Sequence, residues 1–105
     1  MTKATDMIAA ERERQITEEG YSAEHDKDHA LELTKAAQCY VGVGIRAQRY
    51  AAHPLTVPIM WPWADRFWKP TGDPVRDLVK AGALIAAAID SLALAPHDSE
   101  SGRID

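Results

Sequence analysis

From Ala81 to Ile89 the chain reads Ala-Gly-Ala-Leu-Ile-Ala-Ala-Ala-Ile, nine positions without a polar side chain. The stretch follows Asp73-Pro74, which pairs an N-cap with a proline in the first helical turn, where its missing N–H costs nothing. Leu78, Ala81, Gly82, Ile85, Ile89 and Leu92 continue the helical pattern, and Pro96 ends it. A helix apolar on every side must be covered on every side. Nine residues fall far short of the ~20 that span a bilayer, so the cover is protein. The remaining sequence supplies only two more helices, leaving one layer missing. A second protomer is its expected source, in a two-fold dimer or a tetramer built from dimers.

The other elements follow from capping and breaking signals. The whole chain is 105 residues, enough for one domain, expected over 1–95, with a mobile polar tail over 96–105. Thr5 and Gly20 bracket a first helix at about 5–19, and a second, capped by Asp26 or Asp28, is expected at about 28–52. The third covers about 74–94. Strand-like alternation is absent, so the fold class is all-α, a helical bundle that oligomerises. Gly42, Gly44 and the alanines of the second helix are small enough to let a neighbouring helix approach closely. Between the second and third helices, residues 53–73 hold four prolines, all three tryptophans and the only phenylalanine. Prolines at that density forbid a long helix, apart from one short turn near Trp63–Trp68, while the aromatic load argues for order. The segment reads as an apolar strap, or as a lid over a ligand.

The first helix has a polar face where an apolar one is usual. Ile8 lines up with Glu11, Arg12, Gln15 and Glu19 at helical spacing. Either the helix is peripheral, with acids paired to Arg12 and Arg14 on its surface, or its polar face turns inward for a reason. Beyond it lies Glu-His-Asp-Lys-Asp-His-Ala-Leu-Glu at 24–32, where His29 and Glu32 fall one turn apart. Glu11, Asp26, His29 and Glu32 form a candidate divalent-metal set, for Mg or Mn, with His25 and Gln15 beside it. A capped helix start bearing solvated charges explains the same residues. Neither a zinc-protease nor an EF-hand signature occurs.

Net charge is −4, which argues against nucleic acid as a partner. Residues 1–35 hold nine acids against five bases, whereas residues 36–80 hold six bases against three acids. Such a division suits a metal–phosphate ligand, with Lys69, Arg76 and Lys80 on the phosphates and Trp61, Trp63 or Trp68 stacked on a base. It equally suits two solvated surfaces or a self-complementary contact between protomers. Asp77 sits where its charge favours the start of a helix. Cys39 stands alone among apolar residues and reads as an inert core thiol. With no signal-like segment and no membrane-length apolar run, the expected location is the cytoplasm.

Two resemblances add to this reading. Glu11-Arg12-x-Arg14-Gln15, Glu19-Gly20-Tyr21, Glu24-His25-Asp26, His29, Glu32-Leu33, Cys39-Tyr40, Trp61-Pro62-Trp63, Trp68-Lys69-Pro70 and the run Asp77 to Ile85 resemble a group of small proteins of tailed bacteriophages and prophages. That resemblance covers residues 8–92 and implies a host-cytoplasm setting, but no activity. In size, helical content and clustered acids the chain is also similar to MazG-type nucleoside triphosphate pyrophosphohydrolases. It lacks their Glu-Glu-x-x-Glu and Glu-x-x-Asp helix motifs, so no catalytic residue transfers.

Two functional expectations follow. One is a small helical protein that binds a nucleotide or other phosphorylated ligand, with metal-dependent hydrolysis as its extension. The other is a non-catalytic protein that contacts and inhibits a host factor through its acidic first helix. Sequestration of a signalling nucleotide lies between the two.

Overall fold

The computed structural model describes residues 2–19, 29–49 and 56–94. It contains helices α1 (Lys3–Glu19), α2 (Ala30–Arg49) and α3 (Pro74–Leu94), plus one turn of 3-10 helix at Asp65–Phe67. Among the described residues there is no strand, so the all-α class holds. No helix among them is long and apolar enough to cross a membrane. Gly20, the expected end of the first helix, and the 96–105 tail lie outside the described residues.

Two helix starts differ from expectation. Thr2, rather than Thr5, caps α1: its Oγ1 accepts a hydrogen bond from the Thr5 N–H at 3.3 Å, and its carbonyl accepts from the Asp6 N–H. A hydroxyl three residues before a free N–H satisfies one of the first-turn donors, and Thr2 reaches one more turn than Thr5 can. Likewise α2 begins at Ala30, with the His29 carbonyl accepting from the Leu33 N–H at 3.0 Å. This puts His29 at the capping position, while Asp26 and Asp28 lie outside the described residues. For α3 the expectation stands, since Asp73 Oδ1 accepts from the Val75 N–H at 3.0 Å.

Helix α3 is the central element, packed along α2 on one side and against α1 on another. Close approach depends on two glycines. A Cβ at Gly44 would lie 2.9 Å from Leu78, and one at Gly82 would lie 2.9 Å from Ile8. The core joins Leu33, Ala36, Ala37, Cys39, Tyr40 and Val43 of α2 to Ala81, Leu84, Ala87 and Ala88 of α3, with Trp61 and Trp68 at one end. Small residues on both helices let the backbones approach, and burial of this surface drives their association.

The strap is ordered by its aromatic rings. Tyr40 lies edge-on to Trp61 and 4.8 Å, centroid to centroid, from Trp68, and Trp61 and Trp68 are 4.9 Å apart. The Trp61 indole N–H donates to the Ala64 carbonyl, and the Lys69 N–H donates to the Tyr40 hydroxyl. Where the strap meets α3, the fully buried Asp77 carboxylate accepts from the Thr71 N–H, the Thr71 hydroxyl and the Gly72 N–H, each within 3.0 Å. Asp77 therefore does more than favour a helix start: it ties the strap to α3.

The apolar run of α3 is only half covered. Its buried side holds Asp77, Ala81, Leu84, Ala88 and Ser91. Along the opposite side Val75, Leu78, Ile85, Ile89 and Leu92 stay 39–57% exposed. Their spacing of three, four and seven residues places them in one stripe.

Candidate functional site

The polar face of α1 turns inward. Glu11 and Gln15 are 2% and 3% exposed, and Arg12 is buried as well. The Glu11 carboxylate is clasped by two guanidiniums. Arg14 donates through Nε to one carboxylate oxygen at 3.0 Å and through Nη2 to the other at 2.8 Å. Arg76, on α3, donates at 2.7 Å. Gln15 adds an N–H at 3.2 Å. Burial alone would push the Glu11 pKa up, but the hydrogen bonds and charge of Arg14, and then those of Arg76, outweigh it and hold the pKa below its ordinary 4.5. At neutral pH Glu11 is therefore an anion that locks two arginines, and it joins α1 to α3. Arg12 reinforces that join with an ion pair to Asp90 at 3.7 Å.

Beside this lock opens a cleft lined by Glu11, Arg14, Gln15, Tyr40, Trp61, Trp63, Lys69, Lys80 and Leu84. About 300 Å³ of empty space lies within it, open solvent included, and the space that the centre of a water molecule can occupy is about 20 Å³. That is room for only a water molecule or two. Lys80 donates to the Lys69 carbonyl at 2.8 Å and lies 5.6 Å from the centre of the Tyr40 ring. Burial, and then the charge of Arg76, lower its pKa from 10.5, opposed by Glu11. Three cationic side chains and one carboxylate thus border the cleft among the described lining residues, in a protein of net negative charge.

Six candidate residues from distant parts of the sequence meet here: Glu11, Gln15, Trp61, Trp63, Lys69 and Lys80. Arg76 stands directly behind them through Glu11. Trp68 does not line the cleft; it is buried in the aromatic cluster, so its role is packing rather than stacking on a ligand. Trp61 is also mostly buried, edge-on to Trp63, and Trp63 is the half-buried wall. Sequence reading missed Arg14 and Tyr40. The i, i+3 spacing of Arg14 to Glu11 is legible, but the burial that turns this pair inward is not.

The candidate metal set is only partly described. His25 and Asp26 lie outside the described residues. His29 and Glu32 do face each other, with His29 Nδ1 3.6 Å from a Glu32 oxygen, on an exposed turn of α2. Glu11 has arginines and a glutamine as its neighbours instead. Among the described residues no three His, Cys, Asp or Glu side chains converge on a point that a metal could occupy. Cys39 is buried, and burial raises its thiol pKa above 9.0, which suits an inert position.

Comparison with protein-family models, with curated proteins and with solved structures finds no match for the chain.

Proposed function

We propose that the cleft between α1, the strap and α3 binds a small phosphorylated ligand by its phosphoryl group. One observation carries this reading: Lys69, Lys80 and Arg14 gather at one opening beside an aromatic wall, while Glu11 is already held by two guanidiniums. A bound anion would face an excess of positive charge on preorganised side chains. The small interior suits a phosphoryl group at the mouth, with a sugar or base lying outside it over Trp63. An enclosed dinucleotide would need a larger space.

Binding is favoured over hydrolysis because Glu11, engaged by Arg14, Arg76 and Gln15, serves as a counter-ion rather than as a base for water. Mg or Mn enters only with the hydrolytic extension, through Asp26, His29 and Glu32. The phage-type resemblance supports a setting in the host cytoplasm, where phosphorylated metabolites are abundant; the MazG-type likeness supports no more than the same ligand class. The test is a thermal-shift and tryptophan-fluorescence titration with inorganic phosphate and nucleoside mono-, di- and triphosphates, with and without Mg or Mn. A ligand at 100 times its Kd should add ~2.7 kcal/mol of stability. If no phosphorylated compound changes either signal, the reading fails. Product release that needs metal would restore the hydrolytic extension.

A second reading concerns the exposed stripe of α3. We infer that a second copy of the chain covers Val75, Leu78, Ile85, Ile89 and Leu92, giving a dimer or a tetramer built from dimers. The alternative occupant is a host protein, which the exposed acids Asp6, Glu13 and Glu18 of α1 would contact. Sedimentation of the wild type and of I89D separates the two. A dimer that I89D dissociates supports self-association, whereas a wild type that is monomeric at high concentration overturns it.

A further inference from the structure

The cleft is bordered by an amine as well as by guanidiniums. Lys80, half-buried on α3, lines it. Two other lining residues place its Nζ, which donates to the Lys69 carbonyl at 2.8 Å, in an exposed position, and lies 5.6 Å from the centre of the Tyr40 ring. The Lys69 N–H donates in turn to the Tyr40 hydroxyl, so α2 fixes the strap carbonyl that holds the amine. Among the described residues no carboxylate forms an ion pair with Lys80. Burial, and then the charge of Arg76, ease the loss of its proton against the pull of Glu11. A lysine beside other cations, reachable from solvent and without a paired carboxylate, is placed as a nucleophile toward a carbonyl carbon.

We propose that the ligand of the cleft is a phosphorylated aldehyde and that Lys80 condenses with it. This rests on the anion-binding reading of the cleft and names its substrate class. The Nζ lone pair attacks the carbonyl carbon, and a C=N bond replaces the C=O bond. Both amine hydrogens leave with the carbonyl oxygen as water, and nothing is oxidised or reduced. Lys69 and Arg14 still border the cleft to hold the phosphate once Lys80 has reacted. The Lys69 carbonyl anchors Lys80, so a phosphate on the Lys69 side chain brings the aldehyde of the same molecule to the amine, as an intramolecular reaction would. Both groups are met at the opening, and the rest of the ligand lies over Trp63.

The probe is pyridoxal phosphate, which joins an aldehyde, a phosphate and a flat ring. The full chain is incubated with it at limiting concentration, the C=N bond is fixed with sodium cyanoborohydride, and labelled peptides are mapped by mass spectrometry. Lys80 should be labelled about tenfold faster than the exposed Lys3 and Lys35, the effect of one charge-assisted hydrogen bond to the phosphate. Pyridoxal, without the phosphate, should label Lys80 slower by about the same factor. Lys80→Arg keeps the charge and should leave only the slow labelling of the other lysines. Pyridoxine phosphate, which has the phosphate but no aldehyde, is titrated calorimetrically beside it. If pyridoxine phosphate binds but Lys80 is labelled no faster than Lys3 and Lys35, the condensation is overturned and the anion site stands. Equal labelling of Lys80 by pyridoxal and pyridoxal phosphate overturns the phosphorylated class. If pyridoxine phosphate does not bind and the phosphate gives Lys80 no advantage, the anion site falls and this inference with it.

Discussion

Replacing Glu11 by Gln preserves shape but removes the charge that Arg14 and Arg76 share. The carboxylate side chain is 1% exposed, whereas the two arginines are 30% and 39% exposed. Breaking a fully buried pair costs ~3–5 kcal/mol. Here the released guanidiniums can turn toward water, so the loss falls nearer the ~1.5–3 kcal/mol of a charge-assisted hydrogen bond. We expect about 2 kcal/mol, or a Tm lowered by roughly 8–16 °C for a domain of this size. The dependence on pH distinguishes this cause from simple misfit. The folded-state pKa of Glu11 lies below its ordinary 4.5. Its contribution is therefore complete above that value and is lost as pH falls through the folded-state pKa. Thermal melts of wild type and Glu11→Gln should differ most near pH 7 and converge as the pH falls through the folded-state pKa of Glu11. A gap that does not shrink as the solution is acidified, or no gap at pH 7, would refute the assignment of Glu11 as an ionised lock between α1 and α3.

Other substitutions test the remaining joints. Asp77→Ala removes three hydrogen bonds to Thr71 and Gly72 and should cost ~2–4 kcal/mol in urea denaturation, with Asp77→Asn losing less. Gly44→Ala gains ~1 kcal/mol of helix propensity but drives a methyl into Leu78 at 2.9 Å. We expect it to lower stability by about 1 kcal/mol, and Leu78→Ala in the same chain to recover part of the loss, a coupling that a double-mutant cycle measures. Native Cys39 should react with a thiol reagent only as fast as the fold opens, since it is buried and its pKa is raised. Reaction at the rate of a free thiol would show that its surroundings are open.

Much of the helical frame was legible because its causes are local. Asp73-Pro74 marks the start of α3 through a side-chain cap and an N–H that needs no partner, and the structure begins α3 there. The ends of the earlier helices were less clear. Several Thr and Asp residues offer themselves for each capping position, and spacing alone did not single out Thr2 or His29, whose carbonyls accept the first helical hydrogen bonds of α1 and α2. The strap's order was readable from its aromatic load, but the separate positions of Trp63 at the cleft and Trp68 in the core were not.

Sequence alone established that the chain is built of helices, that its last helix has more apolar surface than two neighbours can cover, and that the first helix has a polar face in the usual place of an apolar one. Those properties depend on spacing along a single segment. Tertiary structure decided what the polar face is for. It brought Arg76 from 65 residues away onto Glu11, and set Lys69, Lys80 and Trp63 beside Gln15. Charge and burial act through distance in space, and no periodicity within one helix encodes which residue of another will stand 2.7 Å away.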